Sequence, residues 1–219
     1  MADSQNLLLI QDTNMISEMK AITYLKKKDP TMNKIITLVG NYTIKKRADP
    51  FLSLVEAIIY QQLTGKAAES IYRKFLNYYE NSFPDPDKIL ATSEDAMRSF
   101  GLSSRKVEYI KILSENVKNK SLNVDLFPKM PDEEIIEQLI KMKGIGRWTS
   151  EMFLIFCLGR PDVFPLKDLG VRKAIQKWYF DSKSATEMQM EEVSLKWKPY
   201  RSIATWYLWK SLSNFDTIG

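Results

Sequence analysis

A chain of 219 residues, 44% hydrophobic and 27% charged, carries enough apolar material for one globular unit of one or two lobes. It has no histidine and one cysteine, Cys157, which excludes histidine acid–base chemistry, histidine metal ligation, an intrachain disulfide and a four-cysteine iron–sulfur cluster. A net charge of +5 and a pI of about 9.1 suit a polyanionic partner, and no apolar run approaches the ~20 residues that span a bilayer, so no membrane partner is expected.

Residues 1–13 show no clear period. Leu7–Ile10 is too short for the apolar core of a signal peptide and follows no basic region, so the expected location is intracellular: cytoplasm, nucleoid or nucleus. From there the spacing predicts helices almost throughout. Ile16–Lys27 is helical and ends in a basic run read as a solvated face. Asp29-Pro30 combines an N-cap with proline at the first helical position, and Gly40 stops that helix. Asp49-Pro50 repeats the signal and opens Phe51–Gln62, with Phe51, Leu54, Val55, Ile58 and Ile59 on one face. Thr64-Gly65 interrupts, and Lys66–Tyr79 resumes. Pro84 and Pro86 mark a loop; Ser93, Glu94 and Asp95 start a short helix that stops at Gly101. Ser104–Lys118, Pro131–Met142, Arg147–Leu158, Asp168–Phe180, Thr186–Lys196 and Pro199–Leu212 complete the helices. Val163-Phe164 is too short for a sheet, so the fold class is all-α. Cys157, inside the apolar run Met152–Leu158, reads as a buried structural thiol.

The most informative stretch is Leu139 to Asp168, LIKMKGIGRWTSEMFLIFCLGRPDVFPLKD. Two helical patterns meet at Gly144-Ile145-Gly146, and a proline-broken turn then delivers Asp168. Glycines around one apolar residue allow a tight turn and bare backbone amides at a helix start, which together form a phosphate cradle. Gly-Ile-Gly alone is equally the joint of an ordinary αα-hairpin.

In that context GIGRWTSEMFLIF followed by DVFPLKDLGVRKAI resembles the helix-hairpin-helix motif and the following Asp-containing loop of the DNA glycosylase superfamily, above all its 3-methyladenine DNA glycosylase II branch. The resemblance runs from about Asp29 to Leu212. It implies a single helix-hairpin-helix unit over residues 1–219, with two helical lobes, approximately 50–135 and 1–49 plus 136–219, and a DNA-binding cleft between them. The extra N-terminal sheet domain of larger relatives is not expected, because too few residues precede Asp29. The implied partner is double-stranded DNA containing damaged bases, bound by a monomer.

The chemistry follows from the bond to be broken. Cleaving a base from deoxyribose passes through an oxocarbenium-like state, which a carboxylate beside C1′ stabilises while it orients water. Glycoside hydrolysis normally needs a second, protonated carboxyl for the leaving group. An alkylated purine already carries positive charge and leaves without that help, so one carboxylate suffices and no catalytic cofactor is required. The resemblance gives that role to Asp168, which local sequence alone reads as the N-cap of the next helix; both can hold. Asp162 is the rival carboxylate, read as a turn residue. Lys167 departs from the acidic or small residue that relatives carry before the aspartate. Where bifunctional relatives have a Schiff-base lysine this chain has Trp148, so no lyase activity is expected.

Further roles rest on the same resemblance. Trp148, Met152, Trp209 and Tyr60 would line the pocket for the extruded base, with Tyr24 and Trp206 as further candidates. Leu63 would be the wedge that fills the gap in the duplex, beside Gln62. Gly144, Ile145, Gly146, Arg147 and Thr149 would form the phosphate-binding hairpin, with Lys141 and Lys143 nearby. Main-chain carbonyls of Ile140, Met142 and Ile145 would hold a structural sodium or potassium ion. Trp197 and Tyr200 read as packing. The expected activity is removal of 3-methyladenine-like lesions. The alternatives are a glycosylase for an oxidised or deaminated base, or a non-catalytic DNA-binding protein.

Overall fold

Aspartate followed by proline starts a helix three times in this chain: the side chains of Asp29, Asp49 and Asp85 each accept from first-turn amides, and the proline supplies a fixed φ where no N–H is needed. The structure, a computed structural model, describes residues 17–44, 49–63 and 65–212. Its helices are α1 (residues 17–28), α2 (Pro30–Val39), α3 (Pro50–Tyr60), α4 (Gly65–Tyr78), α5 (Pro86–Ala91), α6 (Glu94–Ser99), α7 (Ser104–Lys118), a 3₁₀ turn at Val124–Lys129, α8 (Asp132–Leu139), α9 (Arg147–Phe156), α10 (Leu169–Tyr179), α11 (Glu187–Leu195) and α12 (Arg201–Lys210). No strand occurs among the described residues, in keeping with the all-α expectation. None of the described helices is long and apolar enough to cross a membrane. Residues 1–13, Ile16 and Thr64 lie outside the described residues.

Two helix boundaries differ from expectation. Pro86 was expected to lie in a loop, yet it is the first residue of α5, because Asp85 caps Lys88 N–H as the other two aspartates cap theirs. The first hairpin helix was expected to reach Met142 but ends at Leu139.

The chain divides into two units, Met1–Lys45 with Arg160–Gly219, and Lys46–Gly159. The expected lobe boundary near residue 135 therefore moves to 159. The physical reason is packing: α9 lies on α8 and on α3, which sits at the centre of the middle unit. There α3 buries Leu54, Val55, Ile58 and Ile59 completely and also packs on α4 and α7. Each such side chain removed from water stabilises by about 1.5–3 kcal/mol.

In the terminal unit α12 packs on α10 and α2, around Met32, Ile35, Val171, Ile175, Leu208 and Trp197. Asp29, 2% exposed, ties this core together. One carboxylate oxygen accepts from the amides of Thr31 and Met32; the other accepts the Tyr179 hydroxyl at 2.8 Å and the Trp197 indole N–H at 2.9 Å. A buried carboxylate is tolerable only when its lone pairs are met in this way.

Candidate functional site

Asp168 is delivered by a tight turn in which its own amide donates to the Pro165 carbonyl and the Leu166 amide to Phe164. It caps α10: its Oδ1 accepts the Val171 amide at 2.8 Å. The same oxygen accepts the Trp209 indole N–H at 2.8 Å, across 41 residues of sequence. The side chain is half-buried, at the positive end of the α10 dipole. The cap role thus coexists with partial exposure of the carboxylate to solvent.

Trp209 itself is 1% exposed. The structure supports orientation of Asp168 as its role, in place of a ring face offered to a base. Asp162, the rival carboxylate, is held by Arg201 through both oxygens, at 2.8 and 2.9 Å, and braces the start of α12. Trp206 is buried edge-on to Tyr42 and so packs in the terminal unit, while Tyr24, partly exposed, stands edge-on to Tyr200. Trp197 is core, as expected.

In the middle unit the hairpin turn closes through Met142 N–H to the Leu139 carbonyl and Ile145 N–H to the Met142 carbonyl, each at 3.0 Å. Gly144 has φ +89, and a Cβ there would lie 2.1 Å from the Tyr109 ring, so both conformation and space demand glycine. Gly146 differs from the sequence expectation: its φ is −100, ordinary for any residue, and nothing lies within 4 Å of where a Cβ would stand. Gly146 is the N-cap of α9, and no side chain caps that helix. Side chains cap α2, α3, α5, α6, α7, α10 and α11, whereas α8 and α12, like α9, start without one. An uncapped ten-residue helix beginning at glycine presents backbone amides and dipole to an anion.

Two of the cations around this turn are already engaged. Arg147 donates to both oxygens of Glu133, at 2.6 and 3.1 Å, and to the buried Glu151 at 3.2 Å. The Glu133 hydrogen bonds raise the Arg147 pKa. Lys143 pairs with Glu108, which raises its pKa too. The expected phosphate contacts of these two side chains therefore compete with internal ion pairs. The Thr149 side chain is buried, which leaves its backbone as the group available to the cradle.

Trp148, the second residue of α9, is 47% exposed, and Met152 lies one turn further on, partly exposed. Tyr60 donates its hydroxyl to Glu69 at 2.6 Å and sets its ring edge-on to Tyr72. Beyond it, Gln62 has φ +56 and Leu63 is 39% exposed. Sequence reasoning missed three residues here. The Gln61 side-chain amide donates to the Gly144 carbonyl at 2.8 Å. Lys106 Nζ donates to the carbonyls of Ile59 and Gln61 at 2.7 and 2.8 Å. Tyr109 underlies Gly144. All are long-range pairings that no local spacing signals.

Residues 55–199 match the model of the HhH-GPD superfamily of base excision DNA repair proteins. The chain is 36% identical over 197 residues to DNA-3-methyladenine glycosylase 1 of Schizosaccharomyces pombe, covering 88% of this chain and 86% of that one. The fold superposes on a DNA-3-methyladenine glycosidase from Bacillus halodurans with a TM-score of 0.81 at 31% identity, covering 89% and 90% of the two chains. It superposes on the Schizosaccharomyces pombe 3-methyladenine DNA glycosylase in complex with abasic DNA with a TM-score of 0.79 at 36% identity, covering 87% and 95%. Hairpin, uncapped α9 and indole-held Asp168 all fall inside the matched residues, and the chain belongs to the HhH-GPD superfamily of base excision DNA repair proteins.

Proposed function

We propose that this protein is a monofunctional DNA N-glycosylase that hydrolyses the N-glycosidic bond of alkylated purines, 3-methyladenine-like lesions, in double-stranded DNA, and so initiates base-excision repair. The observation that carries the reading is the half-buried Asp168 carboxylate, fixed through one oxygen by Val171 N–H and Trp209 Nε1–H. Similarity to 3-methyladenine glycosylases of yeast and Bacillus supports the substrate class.

In this reading two rigid donors leave the Asp168 carboxylate no freedom to swing, and its charge opposes the positive charge that develops at C1′ as the base departs. The carboxylate also orients the water that attacks the sugar and takes its proton. The leaving purine is already cationic, which accounts for a single carboxylate. The exposed Trp148 ring offers a π face to an electron-poor base, and Met152 a polarisable apolar wall. The α9 amides take the phosphate flanking the lesion, and Leu63 enters the gap left by the base, with Gln62 beside it. Carbonyls of Ile140, Met142 and Ile145 would hold a sodium or potassium ion that stiffens the turn; the Met142 oxygen accepts one hydrogen bond from Ile145 and keeps a second lone pair for it. With Trp148 at the position of the lyase amine, the product is an abasic site. The protein acts as a monomer.

The test is a release assay on methylated duplex DNA, with each freed base identified by chromatography. 3-Methyladenine should dominate, and borohydride should trap no covalent adduct. Release of only oxidised or deaminated bases, or none, would overturn the substrate assignment, and a trapped adduct the monofunctional one.

A further inference from the structure

The geometry points to Gln61 and Lys106 as positioning residues that lock the wedge loop onto the hairpin turn, so that α7 sets the register between the side chain entering the DNA gap and the amides gripping the phosphate. The inference rests on the glycosylase reading, with Leu63 as the wedge.

The need for a lock comes from the end of α3. A helix leaves its last carbonyls without intrahelical partners, and glycine commonly closes the end by turning left-handed. Here the cap residue is Gln61, in an extended conformation, and the left-handed residue is Gln62, which has a Cβ and pays a steric penalty there. Two side chains hold this arrangement. The Lys106 ammonium donates to the Ile59 and Gln61 carbonyls, placing a positive charge at the negative end of α3. Burial lowers its pKa, and the two carbonyls give the ammonium hydrogen-bond acceptors in place of water. The Gln61 amide then reaches 83 residues along the sequence to the Gly144 carbonyl. That carbonyl is itself fixed, because the left-handed Gly144 rests directly on the Tyr109 ring.

One turn of α7 thus addresses both partners. Lys106 holds the loop, Tyr109 supports the hairpin glycine, and Glu108 pairs with Lys143 of the turn. Neither Gln61 nor Lys106 is core: each is only partly buried. Their contacts are directional hydrogen bonds to backbone oxygens, which fix position more than they add apolar burial. A wedge displaced by about 1 Å from its gap loses much of its effect, since pre-organisation at this scale governs rates.

The experiment uses the full chain and duplex DNA containing an abasic-site analogue flanked by 2-aminopurine, whose fluorescence reports unstacking on binding. Wild type and Asp168→Asn should both give the signal, and Leu63→Ala should lose most of it. Gln61→Glu keeps the shape but replaces the donor with a second acceptor, and Lys106→Met keeps the length without donors. Both should lose at least half the signal and about 10-fold in single-turnover excision from duplex, with excision from single strands, where no gap needs filling, within about 3-fold of wild type. Lys106→Arg should recover most of the duplex rate. If Leu63→Ala lacks the signal while Gln61→Glu and Lys106→Met both retain it, the lock is overturned and the glycosylase reading stands. Equal losses on duplex and single strand, with a matching fall in Tm, would also overturn it, since these residues would then be merely structural. If wild type gives no signal, the wedge and the lock fall together.

Discussion

Asp29 and Asp168 are the same local device put to two ends. Each caps a helix of the terminal unit, and each accepts a buried indole N–H, Trp197 in one case and Trp209 in the other. They differ in access. Asp29 is 2% exposed and collects two amides, a phenol and an indole. Asp168 is half-buried, and its Oδ1 accepts both the Val171 amide and the Trp209 indole N–H. A carboxylate enclosed by donors on both oxygens can only hold the fold together. One that is held by a cap amide and an indole, and still partly reached by solvent, can be aimed without being sealed into the core.

Exchange of each carboxylate for its amide sharpens this contrast most. Asp168→Asn should lower turnover by roughly 10²–10³-fold, because the charge opposing the transition state is gone. Its Tm should stay within about 2 °C, since an amide oxygen still caps α10. Asp29→Asn should do the reverse. Its new NH₂ group must face buried donors, at a cost of about 3 kcal/mol, or on the order of 10 °C in Tm, with turnover per folded molecule unchanged. Activity and calorimetry on the two variants check both halves. Two variants with the same balance of lost stability and lost turnover would erase the distinction.

The two tryptophans give a smaller, parallel effect. Trp209→Phe removes the N–H that aims Asp168, and kcat should fall about 10-fold with KM little changed, the worth of one hydrogen bond to a charged group. Trp197→Phe should cost about 2 kcal/mol of stability, read as a urea midpoint, and leave kcat at the wild-type value. A kcat effect of equal size in both would mean that the indole at 209 acts through packing alone.

Helix starts were legible because they are local: Asp29-Pro30 and Asp49-Pro50 announce them, and Asp85-Pro86, the same dipeptide, was obscured only by its neighbour Pro84. The hairpin turn and the Asp168 cap could be placed from the sequence because the hairpin and its following loop are contiguous in the chain. What could not be read is who holds whom. The indole partners of Asp29 and Asp168 lie 168 and 41 residues away, and the glycine that matters sterically, Gly144, is singled out by Tyr109, a residue of another helix. Arg147 illustrates the half-legible case. Its i+4 partner Glu151 follows from helical spacing, while Glu133, which takes both ends of the guanidinium, becomes a neighbour only when α8 folds beside α9.

The smallest effect separates the two aspartates by pH. Tyr179 donates to Asp29, and burial, then the adjacent carboxylate, push its pKa far above the ordinary phenol value. The Val171 amide and the Trp209 indole that donate to Asp168 do not titrate in this range. The sign of the effect follows from which state binds the proton. Above pH ~10 the unfolded chain releases the Tyr179 proton while the folded chain keeps it, so the folded state binds more protons and stability falls as pH rises. The limiting slope is about 1.4 kcal/mol per pH unit for this one group, and below pH ~10 the stabilisation is fully present. Tyr207, raised to about 12 by burial, adds a second share of the same sign between pH ~10 and that value. Urea unfolding at pH 9, 10, 10.5 and 11 should show wild-type stability bending downward above pH 10. Tyr179→Phe should start lower, because Asp29 loses a donor, and should bend by about 1 kcal/mol less between pH 10 and 11. Parallel curves for the two proteins would show that Tyr179 ionises as easily folded as unfolded, and the sealed environment that sets Asp29 apart from Asp168 would have to be abandoned.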